Sequence, residues 1–252
     1  MIARTLAYAL DPSTFASDAL GFDPDPWQVQ VLRSHTPQIL NCCRQAGKST
    51  TAAIKGLHTA LFQPGSLVLL VSPSLRQSSE LFRKVTDLIK ILEHQPRRIE
   101  DNRLSVKLGN GSRIVSLPGK EETIRGFSGA SLIIEDEAAR VPDSLYYSIR
   151  PMLAVSNGQL ILMSTPFGKR GHFFEEWSGK QKWNRVIVPA TSCPRISQQF
   201  LAEERVSLGD WWFKQEYECQ FVETEDQIFG HELIQSAMNP TIEPLFSRKV
   251  EI

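Results

Sequence analysis

The 252-residue chain has no surplus of either charge, because 28 Lys plus Arg are matched by 28 Asp plus Glu. This removes any whole-molecule electrostatic argument for a nucleic-acid or membrane-surface partner, so such a surface must be local. Cysteine is scarce. Cys42, Cys43, Cys193 and Cys219 have neither C-x-x-C spacing nor neighbouring histidines, which argues against a zinc site and a disulfide framework and suits a reducing cytoplasm. The five histidines are scattered. No apolar run is long enough to span a bilayer, and the N-terminal MIARTLAYALDPS is too short and too interrupted for a signal peptide or a membrane anchor. Internal repeats and low-complexity segments are also missing. With 41% hydrophobic residues, a globular domain with a sizeable core is expected.

Short apolar runs alternate with helical patterns along most of the chain. Residues 39–43 form one such run, followed by a glycine-containing loop and an Ala-rich helix that ends near Pro64-Gly65. Leu67 to Ser72 reads as a fully buried strand and about 75–93 as a helix. Segments 104–108 and 112–117, separated by Gly109-Asn110-Gly111, predict a hairpin. A strand at 132–134, a helix over about 143–153 and a strand at 159–164 follow. The alternation predicts an α/β fold with a mainly parallel sheet covered on both faces, the hairpin being an insertion or an antiparallel edge. After Phe221 a polar segment and a Pro-containing stretch read as a linker or a tail packed on the domain.

The segment CCRQAGKST, from Cys42 to Thr50, carries the Gly-Lys-Ser end of a phosphate-binding loop, with cysteine where the usual pattern has its first glycine. A buried strand before it and a helix beginning at its end are the required neighbours. The backbone of Gln45, Ala46, Gly47, Lys48, Ser49 and Thr50 can then cradle phosphate oxygens at a helix N-terminus. Lys48 is expected to reach the terminal phosphates, Ser49 to ligate Mg2+, and Arg44 to add a cation near the γ-phosphate. About ninety residues later SLIIEDEAARVPD supplies an apolar strand ending in acids. Asp136 is the expected Mg2+ holder and Glu137 the general base for the attacking water. Glu135-Asp136 is an alternative register for that pair.

Together with PWQ at Pro26 to Gln28 and CRQAGKST, the stretch GASLIIEDEAARVPDSLYYSIRPMLAVSNGQLILMSTPFGKRGHFFEEW resembles the ATPase domain of the large terminase subunit, the DNA-packaging motor of tailed bacteriophages. The similarity covers about residues 23–221. It implies a RecA-like P-loop NTPase of the ASCE type that binds ATP and Mg2+ and moves double-stranded DNA into a procapsid. By position, Trp27 and Gln28 match the family's adenine-side motif, and Arg44 its loop arginine. Ser164 and Thr165 match the motif that couples loss of the γ-phosphate to DNA gripping. Arg125, in TIRGFSGASLII, resembles the finger arginine that a neighbouring subunit inserts, with Arg44 as the alternative acting within its own subunit. The family further implies a portal protein, a small terminase subunit, a homo-oligomeric ring, expected to be a pentamer, and action in the host cytoplasm at the procapsid portal, with no membrane partner.

The expected organisation is an N-terminal extension at 1–22, the ATPase domain at 23–221 and a linker or tail at 222–252. The tail acids Glu223, Glu225, Asp226, Glu232, Glu243 and Glu251 do not fall at strand ends, so the nuclease of full-length relatives is expected to be absent, and no DNA cutting by this chain is expected. Candidate DNA-binding cations are Arg97, Arg98, Arg103 and Lys107 near the hairpin, and Lys169, Arg170, Lys180, Lys182 and Arg185 further on. Two other functions fit parts of the pattern. A superfamily 2 helicase fragment shares the glutamine, loop and acidic motifs but needs a second RecA-like domain. A nucleotide-gated assembly module would not need Lys48, Asp136 and Glu137 together.

Overall fold

The structure is a computed structural model that describes residues 2–119, 124, 126–223, 233 and 236–237. In chain order the main elements begin with α1 (Ile2–Leu10), α2 (Pro12–Thr14), which widens into a π-turn at Phe15–Ala19, and α3 (Pro26–Arg33). Next come β1 (Gln38–Cys42), α4 (Lys48–Phe62), β2 (Leu67–Ser72), α5 (Leu75–Ile91), β3 (Arg98–Asn102), β4 (Ser105–Leu108), β5 (Arg113–Pro118) and β6 (Leu132–Asp136). The rest are α6 (Asp143–Ile149), β7 (Gln159–Ser164), α7 (Gly171–Ser178), β8 (Asn184–Val188) and α8 (Gln198–Glu216).

The strands form one eight-stranded sheet in the order β3-β4-β5-β2-β6-β7-β1-β8. The six strands from β5 to β8 in that order run parallel, and β4 and β3 complete an antiparallel edge. The expected α/β class and hairpin are therefore both present. Adjacent side chains on a strand point to opposite faces, and the core divides accordingly. Leu40, Leu70, Ile134 and Met163 pack under α4 and α5 with Ile54, Leu57 and Val85, whereas Ile39, Leu69, Ile133 and Leu162 pack with Leu145, Tyr146 and Phe173 of α6 and α7. Phe15 and Leu20, which precede α3, belong to the α4 cluster. Among the described residues, no helix is long and apolar enough to cross a membrane.

This topology positions the site. Strands β1 and β6, which lead into the glycine loop and the acidic motif, are separated in the sheet by β7 alone. All three deliver their C-terminal residues to the same edge, the location where open parallel sheets bind ligands.

Candidate nucleotide site

The loop between β1 and α4 is shaped by two left-handed residues, Gln45 at φ 62° and Gly47 at φ 98°. Gly47 is needed for a second reason, since a Cβ there would come within 2.9 Å of Gln28 Nε2. The loop is also braced from outside. Arg195 makes a two-pronged ion pair with Asp25, at 3.1 and 2.6 Å, and donates to the Ala46 carbonyl at 3.2 Å. Beside the loop lies a cavity of about 440 Å³ lined by Arg44, Lys48, Ser49 and Thr50 from this segment, Lys84 from α5, and Glu137 and Arg140 from the turn after β6.

Strand alternation separates the three consecutive acids. Glu135 points to the α6–α7 side, fully buried, where its Oε1 lies 3.0 Å from His172 Nε2. Burial pushes the Glu135 acid upward while His172 pulls it the other way, and the other ring nitrogen of His172 lies 3.0 Å from Asp143 Oδ1. Asp136 points to the α4 side, and its carboxylate meets the Ser49 hydroxyl and accepts from the Glu137 amide at 3.0 Å. Burial, and next the Glu137 carboxylate, push the Asp136 acid up to about 6. Glu137 sits in the left-handed region at φ 53°, ψ 40°. A non-glycine residue held there costs on the order of 1–3 kcal/mol, and such strain persists where the surroundings over-determine it.

The surroundings of Glu137 are cationic. Its Oε1 is 3.0 Å from Lys48 Nζ, and its Oε2 is 3.5 Å from both Arg140 Nη1 and Ser164 Oγ. Burial alone would pull the Lys48 ammonium down, but the Glu137 and Asp136 charges outweigh it and the net shift is upward. Arg140 also donates to Thr165 Oγ1 at 3.2 Å and to Glu216 Oε1 at 3.4 Å. Glu216, at the end of α8, binds Arg44 as well, through Nε at 2.5 Å and through the Arg44 amide to its carbonyl at 3.2 Å.

The candidates read from sequence thus converge for the most part. Arg44, Gln45, Gly47, Lys48, Ser49, Thr50 and Glu137 line one cavity. Asp136 is buried behind the lining, against Ser49, and Ser164 and Thr165 touch the rim through Glu137 and Arg140. Ala46 is buried behind the loop. Trp27 and Gln28 do not line the cavity. Gln28 is fully buried, accepts from the Asp25 amide at 2.8 Å and donates to Thr51 Oγ1 at 3.0 Å, so it supports the loop from behind. Trp27 is half-buried against the α4 core. Arg125 lies outside the described residues.

The sequence reading missed Arg140, Glu216, Lys84 and Arg195. Arg140 stands three residues after Glu137, a spacing that could have raised it. Glu216 and Arg195 come from segments with no local motif. Lys84 makes no ion pair within 4 Å among the described residues and acts on Asp87 only at longer range. Arg185, read as a DNA candidate, is instead a helix cap: its guanidinium donates to the carbonyls of Glu176, Trp177, Gly179 and Gln181. Cys43 and Cys193, far apart in sequence, approach to 3.8 Å as buried free thiols.

The family model described as "Terminase large subunit, T4likevirus-type, N-terminal" matches residues 39–236. A terminase large subunit of Thermus virus P23-45 is 27% identical over 258 residues, covering 88% of this chain and 53% of that protein. The large terminase ATPase domain of Thermus phage P74-26 superposes with a TM-score of 0.74 at 24% identity, over 84% of this chain and all of that one. The large terminase of another thermophilic bacteriophage, in complex with ADP, gives a TM-score of 0.65 at 12% identity, over 79% of this chain and 54% of that one. The chain spans about half the length of the curated relatives it matches.

Proposed function

Since the chain belongs to the T4likevirus-type terminase large subunit family, in its N-terminal part, we propose that it is a magnesium-dependent ATPase whose turnover drives double-stranded viral DNA into a procapsid. The observation that carries this reading is the arrangement of Lys48, Glu137, Ser49 and Asp136. An ammonium and a general base stand 3.0 Å apart, beside a buried carboxylate that meets a half-buried hydroxyl. An assembly module that only bound nucleotide would have no use for a strained glutamate held at that spot.

The oxygen donors of Ser49 and Asp136 fit Mg2+, a hard cation that takes one or two carboxylates plus phosphate oxygens. When bound, the ion would neutralise charge on the phosphates. Backbone N–H groups from Gln45 to Thr50, at the start of α4, suit the phosphate chain. Lys48 would exchange its contact with Glu137 for one with the terminal phosphates. Glu137, released on that side, would orient and deprotonate the attacking water. Arg44 has an exposed side chain on the cavity wall and is one candidate for stabilising the transferring phosphoryl group. Arg125 from a neighbouring subunit is the other.

Nucleotide binding is supported by the ADP complex of the thermophilic bacteriophage's large terminase. We take 23–221 as the ATPase domain, with 1–22 as an extension docked on it through Phe15 and Leu20 and 222–252 as a linker or tail. The working assembly is a homo-oligomeric ring, expected to be a pentamer, at the portal in the host cytoplasm, served by a small terminase subunit. Trp27 and Gln28 remain the adenine-side candidates by position, although Gln28 would have to release Thr51 to reach a base. Arg97, Arg103, Lys180 and Lys182 have no acidic partner among the described residues and are the stronger DNA candidates. ATP hydrolysis assayed with and without DNA and portal, at several protein concentrations, tests the proposal. Turnover that rises with concentration and with DNA supports it, and absence of turnover under every condition refutes it.

A further inference from the structure

Arg140 occupies a place that the phosphate-loop chemistry described above does not explain. The left-handed backbone of Glu137 folds the chain back into the one-turn 3-10 helix Ala138–Arg140, closed by the Arg140 amide donating to the Glu137 carbonyl at 2.8 Å. That turn returns the guanidinium over the carboxylate three residues before it. Four groups then fix it. These are Glu137 Oε2 at 3.5 Å, Thr165 Oγ1 at 3.2 Å, Glu216 Oε1 at 3.4 Å and the Phe167 ring, whose centroid lies 4.6 Å from the guanidinium carbon. Phe167 and Thr165 both follow β7, so the cation bridges the ends of β6, β7 and α8.

The two oxygens of Glu137 have different keepers. Oε1 is held by Lys48 alone among the described ion pairs. Oε2 is shared by Arg140 and the Ser164 hydroxyl. A lysine drawn toward phosphates would leave Oε1 open, whereas the Oε2 contacts do not depend on the loop at all. We infer that Arg140 is the positioning residue of the general base: it anchors Oε2 together with Ser164, so that Oε1 faces the attacking water once Lys48 leaves. This rests on the ATPase reading proposed above.

The same geometry assigns Arg140 a second part. Its contact with Thr165 ties the orientation of Glu137 to the segment after β7, and its contact with Glu216 ties it to the last residue of α8. A guanidinium presents its donors in a rigid planar fork spread over three nitrogens, whereas an ammonium's three donors radiate from a single atom on a flexible stem and cannot span acceptors set this far apart. Arg140→Lys should therefore keep the charge and lose most of the function.

The test uses the full chain and four variants, Arg140→Ala, Arg140→Lys, Glu137→Gln and Glu137→Gln/Arg140→Ala. ATP turnover, nucleotide affinity measured with a fluorescent ATP analogue, and the thermal midpoint are recorded for each. The expected result for Arg140→Ala is a kcat about 10- to 100-fold lower, part of the roughly 10²- to 10⁴-fold that a general base supplies, with nucleotide affinity changed by less than about threefold. Arg140→Lys should recover little of this, and added guanidinium ion at millimolar levels should partly restore Arg140→Ala. The double variant should turn over no more slowly than Glu137→Gln alone. Parent-like kcat in Arg140→Ala, equal losses in affinity and kcat, or full recovery by Arg140→Lys would overturn the inference. If Arg140→Ala unfolds, the comparison falls to Arg140→Lys, whose parent-like kcat would overturn it equally. A parent chain that binds nucleotide but never turns it over sinks the ATPase reading instead, so the two failures are distinguishable.

Discussion

Asp136→Asn should make the metal-free protein more stable while removing its use for Mg2+. Asp136 is buried beside a second carboxylate, and its acid is raised from 3.8 to about 6. The folded state therefore prefers the protonated form. For an acid shifted upward, stability is highest below the unfolded value and is lost as pH rises from about 4 through about 6, after which the full penalty applies. At about 1.4 kcal/mol per pH unit, the shift sets an upper bound of about 3 kcal/mol. The pull of Lys48 and the Ser49 contact is already contained in that shift, and the imperfect fit of an amide among these partners leaves about 2 kcal/mol of it. For a domain of this size that corresponds to a thermal midpoint roughly 4–8 °C higher in EDTA at neutral pH. The asparagine variant should also lack the parent's decline between pH 4 and 6. Adding Mg2+ and nucleotide should reverse the ranking, because ligand at a hundred times its Kd contributes about 2.7 kcal/mol to a protein that binds it. Calorimetry at several pH values, with EDTA and then with Mg2+ and ATP analogue, reads all of these. A metal-free Asp136→Asn protein that melts below the parent at pH 7.5 would refute the reasoning.

Gly47→Ala should cost about 2–3 kcal/mol, combining left-handed strain of about 1–2 kcal/mol with displacement of the Gln28 amide from Thr51 at about 1 kcal/mol. It should also weaken nucleotide binding, and urea titration giving parent-like stability would count against the loop geometry. His172→Leu leaves Glu135 fully buried without its counter-charge and should cost about 3–5 kcal/mol. A thermal midpoint within 2 °C of the parent, where about 6–20 °C is expected, would show that the pair is not ionised. Mixing Arg125→Ala subunits with Glu137→Gln subunits, each inactive alone, should restore part of the ATPase activity under assembling conditions. Absence of recovery despite demonstrated co-assembly would favour Arg44 as the transition-state cation.

Much of the architecture was legible because it rests on local patterns. Residues 67–72 and 159–164 read as buried strands since every position but the first is apolar or small and enclosed on both faces, and Gly109 to Gly111 marked the hairpin. Elements without such a signal escaped. Strand β3 is exposed at every residue, and β8, at the sheet edge, buries only Val186 and Val188. Helix α8 is interrupted at Gly209 (φ 73°), which breaks its periodicity. In the site, the loop and the acids of β6 were readable because a strand, a turn and a helix must follow one another in sequence. The contacts of Arg140, Glu216 and Arg195 join segments up to 172 residues apart, and no local pattern encodes such distances. The resemblance placed Gln28 on the adenine side by motif, whereas its burial and its bond to Thr51 show a loop support that the motif does not mention.

The most direct measurement of the central claim is paired binding and turnover for Glu137→Gln against the parent chain, with Mg2+ and ATP, in a preparation in which the parent turns over. The variant keeps the loop, Lys48, Ser49 and Asp136, and changes only the group 3.0 Å from the Lys48 ammonium. The account predicts nucleotide affinity equal to or tighter than that of the parent, with turnover reduced by at least about 10²-fold, the low end of what a general base contributes. Parent-like hydrolysis by Glu137→Gln, especially if Glu135→Gln abolishes it, would contradict the account and move the catalytic carboxylate to the other face of the strand.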